Sequence, residues 1–169
     1  MEITDINSYL NYYSKIKSRT ERLFEYIPPD KVEWTYHADK FTIGDIIRHI
    51  ALIERMMYAE TIQMKPSLYK GCGIEFAKGY KDIVRLYKNM QMETTEILAR
   101  HSNNDLNKKC ATPAGIKLTI WKWLRAMIEH EVHHRGQIYT YLGMLHIKTP
   151  PIFGLSSEEV IIRSQGSNH

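Results

Sequence analysis

Four long stretches of this chain repeat their apolar residues every three or four positions, and that period leaves little choice of fold. A helix turns about 100° per residue, so this spacing lays a stripe along one face, whereas a strand would alternate. The first stretch runs from about Asp5 to Ile27, with Ile6, Tyr9, Leu10, Tyr13, Ile16, Leu23 and Ile27 close to one line. Pro28-Pro29 stops it, because proline lacks the amide proton and restricts the residue before it. Asp30 to Phe41 reads as a loop. The second helix opens near Thr42, whose hydroxyl can cap the first turn while Asp45 answers from three residues on. It carries Ile46, His49, Ile50, Ile53, Met56 and Met57 inward, and Pro66 marks its stop after Met64. The third spans about Phe76 to Arg100. A polar connection and an extended, turn-bearing piece, Cys110 to Gly115, lead to a fourth helix. Thr119 caps that helix, which runs to about Leu145 with Trp123, Met127, His130, His134, Ile138, Tyr141 and Leu145 on its inward line. Ser156 and Glu159 form a capping box for a short last helix, Ser157 to Arg163.

The expected fold class is therefore all-α, a four-helix bundle with a short extra C-terminal helix, as one domain over residues 1–169. The long second connection leaves the topology open. Apolar residues make up 43% of the 169, enough for one core. The formal charge of +4 raises the question of a nucleic-acid partner, but the basic residues are scattered and form no stripe, so none is expected. No apolar run reaches the roughly 18 residues of a membrane span. The first residues carry neither a basic nor an apolar leader segment, and two separated cysteines, Cys72 and Cys110, make no disulfide framework. A cytoplasmic location is the expectation.

The chemistry-bearing residues are histidines. His130 and His134 lie four apart on a helix, nearly above one another, with backbones about 6 Å apart along the axis. Imidazoles leaning across that gap can meet on one metal ion. Two ligands hold a metal weakly. His49 is the remaining histidine on an apolar helical stripe, so it is the natural third, although spacing alone gives it no support. Three neutral imidazoles leave a fourth position open, as in catalytic rather than closed structural sites. Such ligands suit zinc, nickel, copper or iron better than magnesium or calcium.

His130-Glu131-Val132-His133-His134 also matches the H-E-x-x-H pattern of zinc peptidases, in which the glutamate is the general base. Gln137 and Thr140 stand where one peptidase class needs glycine and histidine, and no convincing strand offers a substrate edge, so the context is wrong. Gln137 can reach a bound water or substrate, or form an inter-helix hydrogen bond. Arg135 can clamp a substrate carboxylate or form a salt bridge. Gly136 lowers helix stability, which suggests a close helix approach. Asp45 and Glu131 are candidate supports for the neighbouring histidines, and Asp45 also has a cap role.

The run His130-Glu-Val-His-His-Arg-Gly-Gln137 resembles the helix-four signature of the DinB/YfiT-like superfamily of metalloenzymes. Phe41-Thr-Ile-Gly-Asp-Ile-Ile-Arg-His49-Ile resembles its second signature, and the Pro-Ala-Gly115-Ile-Lys-Leu-Thr-Ile lead-in and the order of elements agree along nearly the whole chain. The resemblance implies a four-helix bundle, a homodimer, and a divalent metal on three histidines, which correspond here to His49, His130 and His134. Zinc or nickel leads the expected metals, with iron and manganese behind. It also implies a small-molecule substrate and thiol-dependent transferase or isomerase activities, with a low-molecular-weight thiol as cosubstrate; a hydrolase fits the same open site. The rival expectation is a binding module in which the metal only braces the helices.

Overall fold

The computed structural model describes residues 2–165. Its elements are α1 (Ile6–Phe24), α2 (Ile43–Ile53), a π-helical segment (Glu54–Tyr58), α3 (Ala59–Ile62), α4 (Tyr80–Ala99), strands β1 (Lys109–Ala111) and β2 (Lys117–Thr119), α5 (Ile120–Met144) and α6 (Ser157–Gln165), with short 3-10 turns at Pro29–Lys31 and Asn103–Asn107. α2, the π segment and α3 are continuous, so four rods form the bundle. Local chemistry sets most ends. Asp5 accepts from the Ser8 amide to start α1. Thr42 and Asp45 make the expected reciprocal box on α2, and Ser156 with Glu159 makes that on α6.

Some ends differ from the sequence expectation, and α1 stops at Phe24, three residues short of Ile27. α4 starts at Tyr80 rather than near Phe76, because Gly79 takes a left-handed φ of 76° and turns the chain there. Thr119 occupies the N-cap position of α5 but its side chain makes no capping bond. Of the piece expected to be extended from Cys110 to Gly115, only its start is strand: Lys109–Ala111 pairs with Lys117–Thr119 as an antiparallel ribbon, Cys110 opposite Leu118, and the residues from Thr112 to Gly115 turn. The ribbon is a small departure from an all-helical chain.

The principal contacts place α1 against α4 and α5, and α2 against the same two helices. α1 and α2 therefore occupy opposite corners, as do α4 and α5. The long connections before α2 and before α5 are the crossovers this arrangement needs. Because α2 and α5 are neighbours, His49 can meet His130 and His134.

Two apolar clusters fill the interior. One gathers Tyr9, Tyr13, Ile16, Tyr58, Leu98, Leu124 and Met127; the other Leu23, Phe24, Ile46, Ile50, Tyr87, Ile138 and Leu142. Between them lies a polar belt. Lys17 and Thr20 follow Ile16 on α1, Glu54 separates Ala51 from Tyr58, and Glu131 separates Ile128 from Ile138; all four are 2% exposed or less. Lys17 pairs with Glu54 and, at 2.5 Å, with Glu131. Thr20 and Tyr87 donate to Glu131, at 2.5 and 3.1 Å, and Tyr13 donates to Glu54 at 2.9 Å. Burial pushes the Glu54 carboxyl up to about 8, whereas Lys17 and hydrogen bonds to Glu131 outweigh burial there and hold its pKa below the usual glutamate value. The belt therefore keeps the charge of Lys17 and Glu131 and holds a proton on Glu54 more readily than on an ordinary glutamate. The π segment begins at Glu54, with the Ala59 amide bonded five residues back to the Glu54 carbonyl.

Gly136 is exposed in mid-helix, and an added Cβ would meet nothing within 4 Å. The close approach suggested by the sequence is absent. Gly136→Ala is accordingly expected to stabilise the protein by about 0.5–1 kcal/mol, raising Tm by roughly 1–4 °C. An unchanged or lower Tm in a thermal scan would contradict this.

Candidate metal centre

His49 lies in the middle of α2, one residue after Arg48, and Arg48 organises what surrounds it. Its guanidinium is 1% exposed and pairs with Glu33 at 2.8 Å and Asp45 at 2.6 Å. It also donates to the carbonyls of Cys72 and Ala77, at 3.0 and 2.9 Å, tying the connection after α3 onto α2. That connection delivers Tyr69, whose hydroxyl sits 2.7 Å from His49 Nδ1.

His130 and His134 project from one face of α5 toward α2. His130 Nε2 lies 3.0 Å from His49 Nε2 and 3.1 Å from His134 Nε2, and the ring centroids are 4.4–4.9 Å apart. One ligand atom from each residue lies within 4.8 Å of the other two. Three nitrogens held 2.0–2.1 Å from one tetrahedral ion stand about 3.3 Å apart, so the cluster is compatible with a divalent metal site. His134 Nδ1 faces the Gln137 amide oxygen at 2.7 Å. That oxygen only accepts, so His134 keeps its proton on Nδ1 and turns a lone pair inward. The Tyr69 hydroxyl can accept in the same way from His49. His130 Nδ1 is buried without a hydrogen-bond partner among the described residues; its ring lies beside Tyr58, with centroids 6.1 Å apart.

Burial keeps the three rings neutral, the form in which imidazole ligates a metal. Burial first, then the neighbouring imidazoles, lower His49 to about 4 and His130 to about 3; burial also lowers His134. All three are neutral at pH 7. A neutral His130 can donate from Nε2 to one neighbour at 3.0–3.1 Å, and with that proton moved to Nδ1 all three rings would offer lone pairs to one ion. A depressed pKa also has a stability sign. The unfolded chain takes up protons as pH falls below about 6.5, while the folded chain does so only near 3–4, so stability is lost on acidification. Glu54, raised rather than lowered, acts in the opposite sense between about 4.5 and 8, so the test is a difference. Between pH 7 and pH 5, metal-free His130→Ala is expected to lose about 1–2 kcal/mol less than metal-free wild type, allowing for screening of partly exposed rings. Urea denaturation at the two pH values measures this, and parallel losses would contradict it.

Other sequence candidates are placed elsewhere. Glu131 points into the polar belt and bonds Thr20 and Tyr87, so it cannot serve as the base of a peptidase at these histidines. Arg135 is 5% exposed and donates to the Ile16 carbonyl on α1 at 3.3 Å; no contact among the described residues joins it to the imidazoles. It is not placed as a substrate clamp. Gln137 supports His134 and, at 3.3 Å, reaches His133 through its amide nitrogen. Asp45 caps α2 and pairs with Arg48 instead of touching His49. Cys72 and Cys110 are buried free thiols with pKa values raised by burial, the opposite of an activated nucleophile. A cleft of about 800 Å³ opens beside His134, lined also by Gln137, His133, Phe41, Tyr36 and Tyr141. Phe41 bridges cleft and cluster, its ring 5.5 Å from that of His49. The sequence reading missed Tyr69, which lies twenty residues from its partner with no periodic signal connecting them.

The model of the DinB superfamily matches residues 12–138. Among solved structures, a DinB-like protein from Bacillus cereus superposes with a TM-score of 0.74 at 17% identity, covering 88% of this chain and 97% of that one. A DinB-like protein from Bacillus subtilis gives 0.69 at 21% identity, with 86% and 96% covered. A further four-helix bundle protein gives 0.62 at 16%, with 80% and 98% covered. No curated protein matches the chain.

Proposed function

The chain belongs to the DinB superfamily, and from that premise we propose that it is a metal-dependent enzyme of the thiol S-transferase or hydrolase kind. His49, His130 and His134 would hold one divalent ion, with zinc or nickel ahead of iron and manganese. The observation that carries this is the convergence of three imidazole Nε2 atoms from two helices on one point. A divalent ion with an open position lowers the pKa of a bound water, or holds a thiol as thiolate, at neutral pH.

The protein's own groups do the rest. Tyr69 and Gln137 fix the outer ring nitrogens of His49 and His134, which aims the inner ones. Phe41 and Tyr58 place rings beside the cluster. The cleft beside His134 has the volume of a small-molecule site. The test is turnover of glutathione or bacillithiol with an aryl halide, and of a simple ester, by protein loaded with one metal at a time. Turnover that a chelator removes and added metal restores supports the enzyme. Metal that binds and raises Tm without turning over either substrate class supports the bracing role instead.

A further inference from the structure

The sequence carries 23 Lys and Arg against 19 Asp and Glu, and the excess looks scattered until the chain is folded. In three dimensions Lys65, Lys109 and Lys117 line one cavity of about 800 Å³ between the end of α3 and the β1–β2 ribbon, and no Asp or Glu among the described residues lines it. Strand geometry brings two of them together. Lys117 pairs with Ala111, and alternation puts Lys109 on the same face as Ala111. Cys110 between them turns the other way and is 1% exposed. Lys65 comes from the opposite wall, which a helix cap fixes. Met64 takes a left-handed φ of 62°, and the Lys65 amide closes back on the Glu60 carbonyl at 3.2 Å.

These lysines have no acidic partner among the described residues, in contrast to Lys108 just before the ribbon. Lys108 pairs with Asp105 at 2.6 Å. Lys65 bonds only the Gln63 side-chain oxygen, at 3.2 Å, and Lys109 and Lys117 have no carboxylate partner among the described residues. All three lysines are exposed around one concave wall, where an anion can be shared among them. Ser67 and Thr112 add hydroxyl groups to the lining, whereas the Thr61 hydroxyl is held by Met57 and Trp123, and the volume leaves room for more than a simple ion. Met64 and Ile116, at the end of α3 and on the ribbon turn, are 55% and 61% exposed.

We propose that this cavity binds the phosphate group of a phosphorylated ligand, at a site separate from the histidine cluster. Thr61 on its wall lies twelve residues beyond His49, about 18 Å along the helix. Lysine ammonium groups act on phosphate as point charges from several directions and need no planar fork. The phosphate can belong to a soluble ester or to a lipid headgroup, against whose acyl region Met64 and Ile116 would rest.

The test titrates inorganic pyrophosphate into the full chain and follows backbone amide resonances. A second arm sediments the protein with phosphatidylglycerol-containing vesicles and with neutral phosphatidylcholine vesicles. The expected result is saturable binding in at least one arm, with shifts at Thr61, Ser67 and 109–117 rather than at His49 and His130. Lys109→Glu with Lys117→Glu should weaken that binding at least tenfold. Lys81→Glu with Lys88→Glu, exposed positions on α4 carrying the same charge change, should leave it within about twofold. Binding in the pyrophosphate arm alone identifies a soluble ester, and binding in the vesicle arm alone a lipid headgroup. No saturable binding in either arm, or equal weakening by the two double variants, overturns the proposal.

Discussion

Lys17→Met is expected to lower folding stability by about 3–5 kcal/mol, the usual consequence of removing one partner from a buried ion pair. The whole stability of a domain is about 5–15 kcal/mol, so the variant would stand near the edge of folding. Lys17 is 1% exposed and is the cation that faces both Glu54 and Glu131. Without it Glu131 must either keep an uncompensated charge between two apolar clusters or take up a proton against its present environment. Tyr13 and Tyr87 donate hydrogen bonds to the acids, but a hydroxyl supplies no net charge. Adding Glu54→Gln and Glu131→Gln removes the charge while keeping an acceptor at each place, and should restore most of the loss. Urea denaturation of the single and triple variants decides the matter. A single variant within 1 kcal/mol of wild type, or a triple variant no better than the single, would mean that the belt is not held by this pair.

His130→Ala should abolish tight metal binding. His130 is the central member of the cluster, with one neighbouring Nε2 at 3.0 Å and the other at 3.1 Å. Its removal leaves two imidazoles on different helices. Loss of a supporting hydrogen-bond partner typically weakens metal binding about 10–100-fold, and loss of a ligand should exceed that. Competition with a chromophoric chelator gives the affinity. Gln137→Ala, which leaves all three imidazoles but frees the ring of His134, should fall within the smaller range. Equal affinities for wild type and His130→Ala would place any bound metal elsewhere.

Much of this was legible in the sequence because it depends on local chemistry. The stripes predicted four rods, Thr42 with Asp45 marked the start of α2, and the i,i+4 spacing of His130 and His134 already implied a shared point. What stayed hidden depends on tertiary partners. The stripe of α1 has a gap between Ile16 and Leu23, where helical period calls for an inward residue near position 20; Lys17 and Thr20 fill it, and their polarity disguised their burial. Glu131 read as a companion of His130, but one step along a helix is a rotation of about 100°, and it faces the belt. Arg135 read as available to a ligand; it is turned to α1. Tyr69 had no readable role because its position relative to His49 is set by Arg48 holding two loop carbonyls. His49 itself could be named from its place on an apolar stripe, but only the pairing of α2 with α5 brings it to the other two.

X-ray absorption at the metal edge, on protein prepared without a nickel column and reconstituted with zinc, examines the central claim most directly. About one equivalent of zinc in a shell containing three imidazole nitrogens, reduced in His49→Ala as well as in His130→Ala, is the result expected. Failure to retain zinc at neutral pH, or a shell dominated by oxygen or sulfur and unchanged in both variants, would contradict the account.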